Sequence, residues 1–187
     1  MAKNENTFTT KDITTIGLFA AVTFVVLQFL RFPTLPPPAN FIHLGNVFLM
    51  LGALLMGPTK GTISASIAYT LFDLLHGYTE SIPKVILTAI IKCIIVALLF
   101  KLLRKNIKQQ WAIVISTIIS FIFGILADYI YVIIETMLSG STFSAAAIVR
   151  LQDEIPAVIN AAVSIIIVPI LYPVIKKIFV STNNSVY

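Results

Sequence analysis

The sequence predicts an all-α membrane protein: one domain over residues 1–187, built of six transmembrane helices with both termini in the cytoplasm. Hydrophobic residues make up 58% of the chain and charged residues 11%, and the mean hydropathy is +0.96. A soluble domain usually carries about 25% charged residues, so this chain has too few of them to cover a surface that faces water. The positions of the basic residues are the second observation behind this prediction.

Nine of the thirteen Lys and Arg residues fall in four short patches between long apolar runs. Positively charged loops tend to stay cytoplasmic, so both termini and two connecting loops are expected on that side of the membrane. An even number of crossings follows, and the apolar runs supply six of them. The patches contain Lys3 and Lys11; Lys60; Lys101, Arg104, Lys105 and Lys108; and Lys176 and Lys177.

The first three predicted spans cover residues 12–30, 41–56 and 59–75. The segment between the first two has four prolines in six residues, which forbids a helix and favours an extended chain. Its residues leave two interpretations open, a plain outer connector and a lid over a pocket. The third span carries several small residues, which let neighbouring helices approach closely.

The last predicted span contains Pro156, Pro169 and Pro173. These prolines are expected to kink or interrupt it, because proline cannot donate the hydrogen bond of a helix interior. The fifth span is long, and Gly124 could allow a bend within it. The last three predicted spans cover residues 84–103, 111–138 and 145–180.

Ionisable residues inside the predicted spans gather in the outer halves. Charges within a bilayer are costly and tend to face a bundle interior or a cavity, so this bias predicts one polar pocket open to the outside. Residues three or four positions apart share a helix face, and the last three helices can each point a polar stripe at one centre. Alternatively, pairs such as Lys92 with Asp128 are structural ion pairs. The predicted substrate-binding residues are Lys84, Asp128, Tyr131, Asp153, Asn160 and Tyr78.

The balance of charge in this outer zone limits the ligand. Five acidic residues face three basic ones, which suits a small, neutral or weakly cationic aromatic molecule better than a polyanion. Pockets for such ligands combine an apolar wall with a few polar anchors. The acidic residues are Asp73, Asp128, Glu135, Asp153 and Glu154, and the basic ones are Lys84, Lys92 and Arg150.

Three motifs lie in and around the second and third spans: His43-Leu-Gly-Asn46, Leu51-Gly-Ala-Leu-Leu-Met-Gly-Pro58 with Gly61, and Phe72-Asp-Leu-Leu-His-Gly77. They resemble the substrate-binding S-components of energy-coupling factor (ECF) vitamin transporters. These are six-helix membrane proteins in which a Gly-Pro-x-x-Gly turn and a downstream Asp-Leu-Leu recur. The resemblance is strongest over residues 41–78 and closest to the branch associated with hydroxymethylpyrimidine, the thiamin precursor.

This resemblance implies a bacterial plasma-membrane subunit that captures a small vitamin from outside, with hydroxymethylpyrimidine the first candidate and pyridoxine the second. It implies no enzymatic activity, no cofactor and no metal ion. A transmembrane coupling subunit and two cytoplasmic ATPases would drive import, and the missing Lys-Ser or Lys-Thr of a phosphate-binding loop agrees with this. By the same resemblance the first outer loop gates the pocket, and Gly17 and Ala21 match the small-xxx-small motif that docks on the coupling subunit. Without the family, these two residues form only a close-packing face.

The sequence leaves two other functions open. A stand-alone secondary transporter of a small polar solute would need access from both sides and often has repeated halves, and no convincing repeat relates residues 1–95 to 96–187. An intramembrane enzyme would need a converging catalytic set, and His43 and His76 lack partners at a metal-ligand spacing. Nucleic-acid binding is not expected, because the basic residues map to loop ends and not to one face.

Overall fold

A computed structural model describes residues 8–33, 41–151 and 154–184. Within these ranges the chain forms seven α-helices, one turn of 3-10 helix and a two-stranded antiparallel sheet. The elements are α1 Thr10–Phe29, β1 Arg31–Pro33, β2 Phe41–His43, α2 Gly45–Met56, α3 Pro58–His76, the 3-10 turn Thr79–Ser81, α4 Ile82–Leu103, α5 Gln109–Leu138, α6 Phe143–Leu151 and α7 Ile155–Asn184.

Four segments of the described chain are long and apolar enough to cross a membrane: Thr10–Phe29, Thr79–Leu103, Gln109–Leu138 and Ile155–Phe179. The chain is therefore a helical membrane protein. Helix α2 has 12 residues and rises about 18 Å, against a hydrocarbon core of about 30 Å. Six crossings and the sidedness of the termini stay predictions.

The short helix α2 lies inside the bundle, because nine of its twelve residues are buried. The long helices instead expose large apolar side chains such as Leu18, Ile122 and Ile166, as expected for surfaces that face lipid. Helices α2 and α3 touch where a Cβ on Gly61 would lie 2.6 Å from the Cα of Ala53. The small residues predicted to allow close approach therefore bring the backbones of α2 and α3 together.

The small sheet departs from the all-helical prediction. Residues 41–43, expected to begin the second span, form β2, which pairs with β1 so that Arg31 lies opposite His43. The Pro-rich residues 34–40 between the strands lie outside the described ranges. The last helix, predicted over 145–180, is interrupted next to Pro156 as expected from its prolines, because α6 ends at Leu151 and α7 begins at Ile155. Pro156 thus falls in the first turn of α7, where its missing amide hydrogen costs nothing, whereas Pro169 and Pro173 lie within the helix.

Side-chain contacts fix which helix ends lie together. An ion pair between Lys60 and Asp12 joins the starts of α3 and α1, and Lys176 Nζ lies 3.1 Å from the side-chain oxygen of Gln109, joining the end of α7 to the start of α5. The rings of Phe19 and Phe179 meet at 6.5 Å and connect α1 with the end of α7. We call this the basic end of the bundle, and we call the opposite end, where α1 and α3 finish and α4 begins, the cavity end.

Candidate ligand-binding site

A cavity of about 130 Å³ opens at the cavity end of the bundle. It is enclosed by β2 and by helices α1 to α5 and α7, so residues far apart in the sequence contribute to one space. Its walls combine aromatic and aliphatic side chains with both signs of charge. The lining includes Arg31, Phe41, His43, Asn46, Tyr69, Phe72, Asp73, Tyr78, Lys84, Thr88, Lys92, Phe121, Gly124, Asp128 and Asn160.

Aromatic rings and one guanidinium form the wall on the side of α1 and α3. The Arg31 guanidinium carbon lies 5.1 Å from the ring centre of Phe41 and 4.9 Å from that of Phe72, distances at which the cation is attracted to both ring faces. Phe41 also meets the ring of Tyr78 at 5.9 Å. These contacts fasten the small sheet to the end of α3 and line this side of the cavity with aromatic rings set at angles to one another.

Asn160 of α7 holds β2 in place on the other side. Its side-chain oxygen accepts a 2.8 Å hydrogen bond from the His43 backbone amide, and its side-chain nitrogen donates a 2.8 Å bond to the Phe41 carbonyl. These two bonds are the ones that a neighbouring strand would supply. Asn160 therefore positions two cavity-lining residues, although it was predicted as a ligand contact deep in the site.

The charged residues of α4 and α5 meet across the cavity. Lys84 Nζ lies 3.6 Å from a carboxylate oxygen of Asp128, and Asp128 acts electrostatically on Glu154, which is buried just before α7. The stem of Lys92 crosses α5 at Gly124, where a Cβ would lie 2.5 Å from the lysine Cε. The ammonium of Lys92 then lies 5.5 Å from the ring centre of Phe121.

Two buried polar atoms of the lining have no hydrogen-bond partner among the described residues: Nδ1 of His43 and one carboxylate oxygen of Asp73. His43 lies in β2, where burial first and the ammonium of Lys92 second lower its pKa to about 3. Its imidazole is therefore neutral at physiological pH. Buried polar groups in native proteins are usually paired, so these two atoms stand out as unsatisfied within the described lining.

Four of the six predicted binding residues lie on the cavity: Lys84, Asp128, Tyr78 and Asn160. Tyr131 is half-buried but is not part of the described lining, although it lies three residues after Asp128 on α5. Asp153 lies outside the described residues. Whether any of the six contacts a ligand stays a prediction.

From the first half of the chain, the prediction included Tyr78 but overlooked four other residues that line the cavity. Arg31, His43, Asn46 and Tyr69 all line the cavity, and Tyr69 donates a 3.1 Å hydrogen bond to the side-chain oxygen of Asn46. His43 and Asn46 are the two ends of the His-Leu-Gly-Asn motif. That motif was therefore the signal in the sequence for this part of the site.

The balance of charged residues on the cavity lining differs from the balance predicted for the whole outer zone. Its described lining has three basic residues, Arg31, Lys84 and Lys92, and two acidic ones, Asp73 and Asp128. Arg150, counted earlier with the basic residues, instead donates a 2.8 Å hydrogen bond to Thr136 on α5. The excess of acidic residues was therefore a property of the outer zone and not of the cavity, so it does not restrict the charge of the ligand.

The predicted docking residues lie far from the cavity, on the outer face of α1. Gly17 and Ala21 are both exposed, and a Cβ added to Gly17 would meet nothing within 4 Å. Ile13 and Val25, one turn before and after them, are 61% and 50% exposed. This face is apolar, and its two central residues are small.

A family model described as the S component of the ECF-type riboflavin transporter matches residues 7–177. The match extends from the start of α1 into the last turns of α7 and so covers the cavity and every helix around it. No curated protein and no solved structure was found to match the chain. A substrate-binding cavity at one end of an apolar helical bundle is what such a subunit requires, and the chain belongs to the S-component family of ECF vitamin transporters.

Proposed function

We propose that this chain captures a small B vitamin outside the cell and presents it to an ATP-driven coupling module. The observation that supports this most directly is the cavity, which combines an aromatic wall with separate charged anchors at the end of the bundle opposite the basic loops. Small-molecule sites usually have this composition. A stand-alone secondary transporter has no comparable support, because the family is one of substrate-binding subunits.

The cavity end faces the outside in this proposal, and the chain crosses the membrane six times with both termini in the cytoplasm of a bacterial cell. The basic end contains Lys60 and Lys176 and the connection with Arg104 and Lys105, and basic loops favour the cytoplasmic side. Helix α2 is too short to span the hydrocarbon core by itself, so in this arrangement it forms a crossing inside the helices that surround it.

Cysteine labelling from either side of the membrane tests this topology. In a Cys93→Ala background, Asn106→Cys is expected to react with an impermeant maleimide only after the cells are opened, and Ser141→Cys in intact cells. Both positions are exposed, so a failure to react from one side reports the membrane and not burial. The reverse pattern would contradict the proposed orientation.

For the ligand we propose a vitamin or precursor with a single aromatic ring, hydroxymethylpyrimidine first and pyridoxine second. The cavity volume is about 130 Å³, below the roughly 300–1,000 Å³ of pockets for drug-sized ligands. One ring fits this space better than three fused rings do. Riboflavin is the competing candidate because the description of the family model names it.

Equilibrium binding to the purified protein tests this choice. We expect saturable binding of hydroxymethylpyrimidine or pyridoxine by isothermal titration, and at least tenfold weaker binding of riboflavin, whose own fluorescence gives an independent readout. Tight riboflavin binding with none of the single-ring compounds would reverse the ligand assignment and leave the cavity in place. Binding of no vitamin on the panel would contradict the proposed function itself.

A further inference from the structure

Lys92 lies half-buried on α4, and its ammonium forms no ion pair and no hydrogen bond with any described residue. Asp128 and Glu154 act on it electrostatically, but Asp128 is paired with Lys84. The ring centre of Phe121 lies 5.5 Å from the Lys92 ammonium. An unpaired charge in such surroundings is costly, and a costly feature that a protein keeps is expected to serve a function.

Gly124 makes this placement of Lys92 possible. A Cβ at position 124 would lie 2.5, 2.7 and 3.1 Å from three carbons of the lysine stem, so any larger residue would push the stem aside. Lys92 follows Lys84 by eight residues, and its Cα is therefore about 12 Å further from the start of α4. The ammonium lies at the floor of the cavity, well below the Lys84–Asp128 pair.

A complementary group belongs to α3. Asp73 is 6% exposed, lines the same cavity, and has one carboxylate oxygen without a hydrogen-bond partner among the described residues. It lies near the end of α3, one turn after Tyr69. The cavity thus offers one unpaired donor group on α4 and one unpaired acceptor on α3.

We propose that Lys92 binds an electron-rich atom at the inner edge of the ligand, while Asp73 accepts a hydrogen bond from the opposite edge. The inner atom is a ring nitrogen without a proton, a carbonyl oxygen or a phenolate oxygen, because an ammonium only donates. The outer group is an amine, a ring N–H or a hydroxyl. This assignment rests on the proposed function and specifies the ligand class as a heterocycle with an acceptor and a donor on opposite edges.

Replacing Lys92 with Met tests the proposal, because Met keeps most of the length of the side chain and removes the charge. Hydrogen bonds to a charged group contribute about 1.5–3 kcal/mol, so the affinity for whichever panel vitamin the parent binds should fall about ten- to a hundredfold. The melting temperature of the ligand-free protein should stay the same or rise, since an unpaired charge inside the bundle is lost. Lys101→Met is the matched control, because Lys101 lies on the same helix but is exposed at the basic end; its affinity should equal that of the parent.

Each result decides between ligand binding and a structural role. If ligand-free Lys92→Met melts well below the parent, Lys92 is a counter-charge for Asp128 and Glu154, and the proposal is overturned. If Lys92→Met binds the vitamin as tightly as the parent, Lys92 does not contact the ligand, and the proposed function is unaffected. If the parent protein binds no vitamin on the panel, both the role of Lys92 and the proposed function are contradicted.

A second variant, at Gly124, tests the role of Lys92 without removing its charge. Gly124→Ala should displace the Lys92 stem and weaken binding in a protein that still carries the lysine. In the double variant Gly124→Ala/Lys92→Met, binding should be no weaker than in Lys92→Met alone. Both changes remove the same interaction, the one between the Lys92 ammonium and the ligand. Additive losses would show that Gly124 acts separately from Lys92.

Discussion

An Asp128→Ala variant is expected to bind its vitamin about ten- to a hundredfold more weakly than the parent. Asp128 lines the cavity, and its carboxylate lies 3.6 Å from Lys84 Nζ. It therefore serves either as a direct acceptor for the ligand or as the group that orients the lysine. One charge-assisted hydrogen bond contributes about 1.5–3 kcal/mol, and each 1.4 kcal/mol is about a factor of ten in affinity. Isothermal titration with the panel vitamin that the parent binds measures the loss.

Glu135→Ala is the matched control, because Glu135 lies on the same helix but is exposed. It should bind like the parent. Thermal unfolding of the ligand-free proteins separates the alternatives for Asp128. If the Lys84–Asp128 pair only ties α4 to α5, Asp128→Ala should unfold at a clearly lower temperature, and every vitamin on the panel should lose affinity in proportion. A stable Asp128→Ala protein with unchanged affinity would remove this residue from the site.

The membrane fold could be predicted because its signals are local and strong. Long apolar runs require helices in a bilayer, and the structure begins α4 within two residues and α5 within two residues of the predicted positions. The same reasoning failed at residues 41–43. Their apolar character resembles the start of a helix, but the pairing with Arg31–Pro33 depends on a partner strand across a proline-rich connection. Hydropathy alone does not contain that information.

The cavity was predictable in its location but not in its full membership. The polar stripes of α4 and α5 correctly placed Lys84 and Asp128 on the cavity, since residues on one helix are related by a fixed rotation. Arg31 and His43 reach the site through the hairpin, whose position depends on the two hydrogen bonds from Asn160. No spacing rule relates Asn160 to residues more than a hundred positions earlier. The charge of the cavity lining therefore depends on contacts that cannot be read from the sequence.

Replacing both Gly17 and Ala21 with Leu is expected to abolish vitamin uptake while ligand binding stays within about twofold of the parent. We propose this face of α1 as the docking surface for the coupling subunit. Small residues let helix backbones approach closely, and packing of this kind drives association within a membrane. Two Leu side chains would hold a partner helix away. The isolated chain should tolerate them, because both positions are exposed and a Cβ on Gly17 would touch nothing within 4 Å.

The measurement pairs uptake of a labelled panel vitamin in cells with co-purification of the membrane subunit and the two ATPases. The double variant should lose both uptake and co-purification, although the purified protein should melt and bind ligand as before. Ala162→Leu on α7 is the matched control, since it adds the same side chain at another exposed position and should transport normally. If uptake survives in the Gly17→Leu/Ala21→Leu variant, the coupling subunit docks elsewhere, and the exposed face of α1 that runs from Ile13 to Val25 faces only lipid.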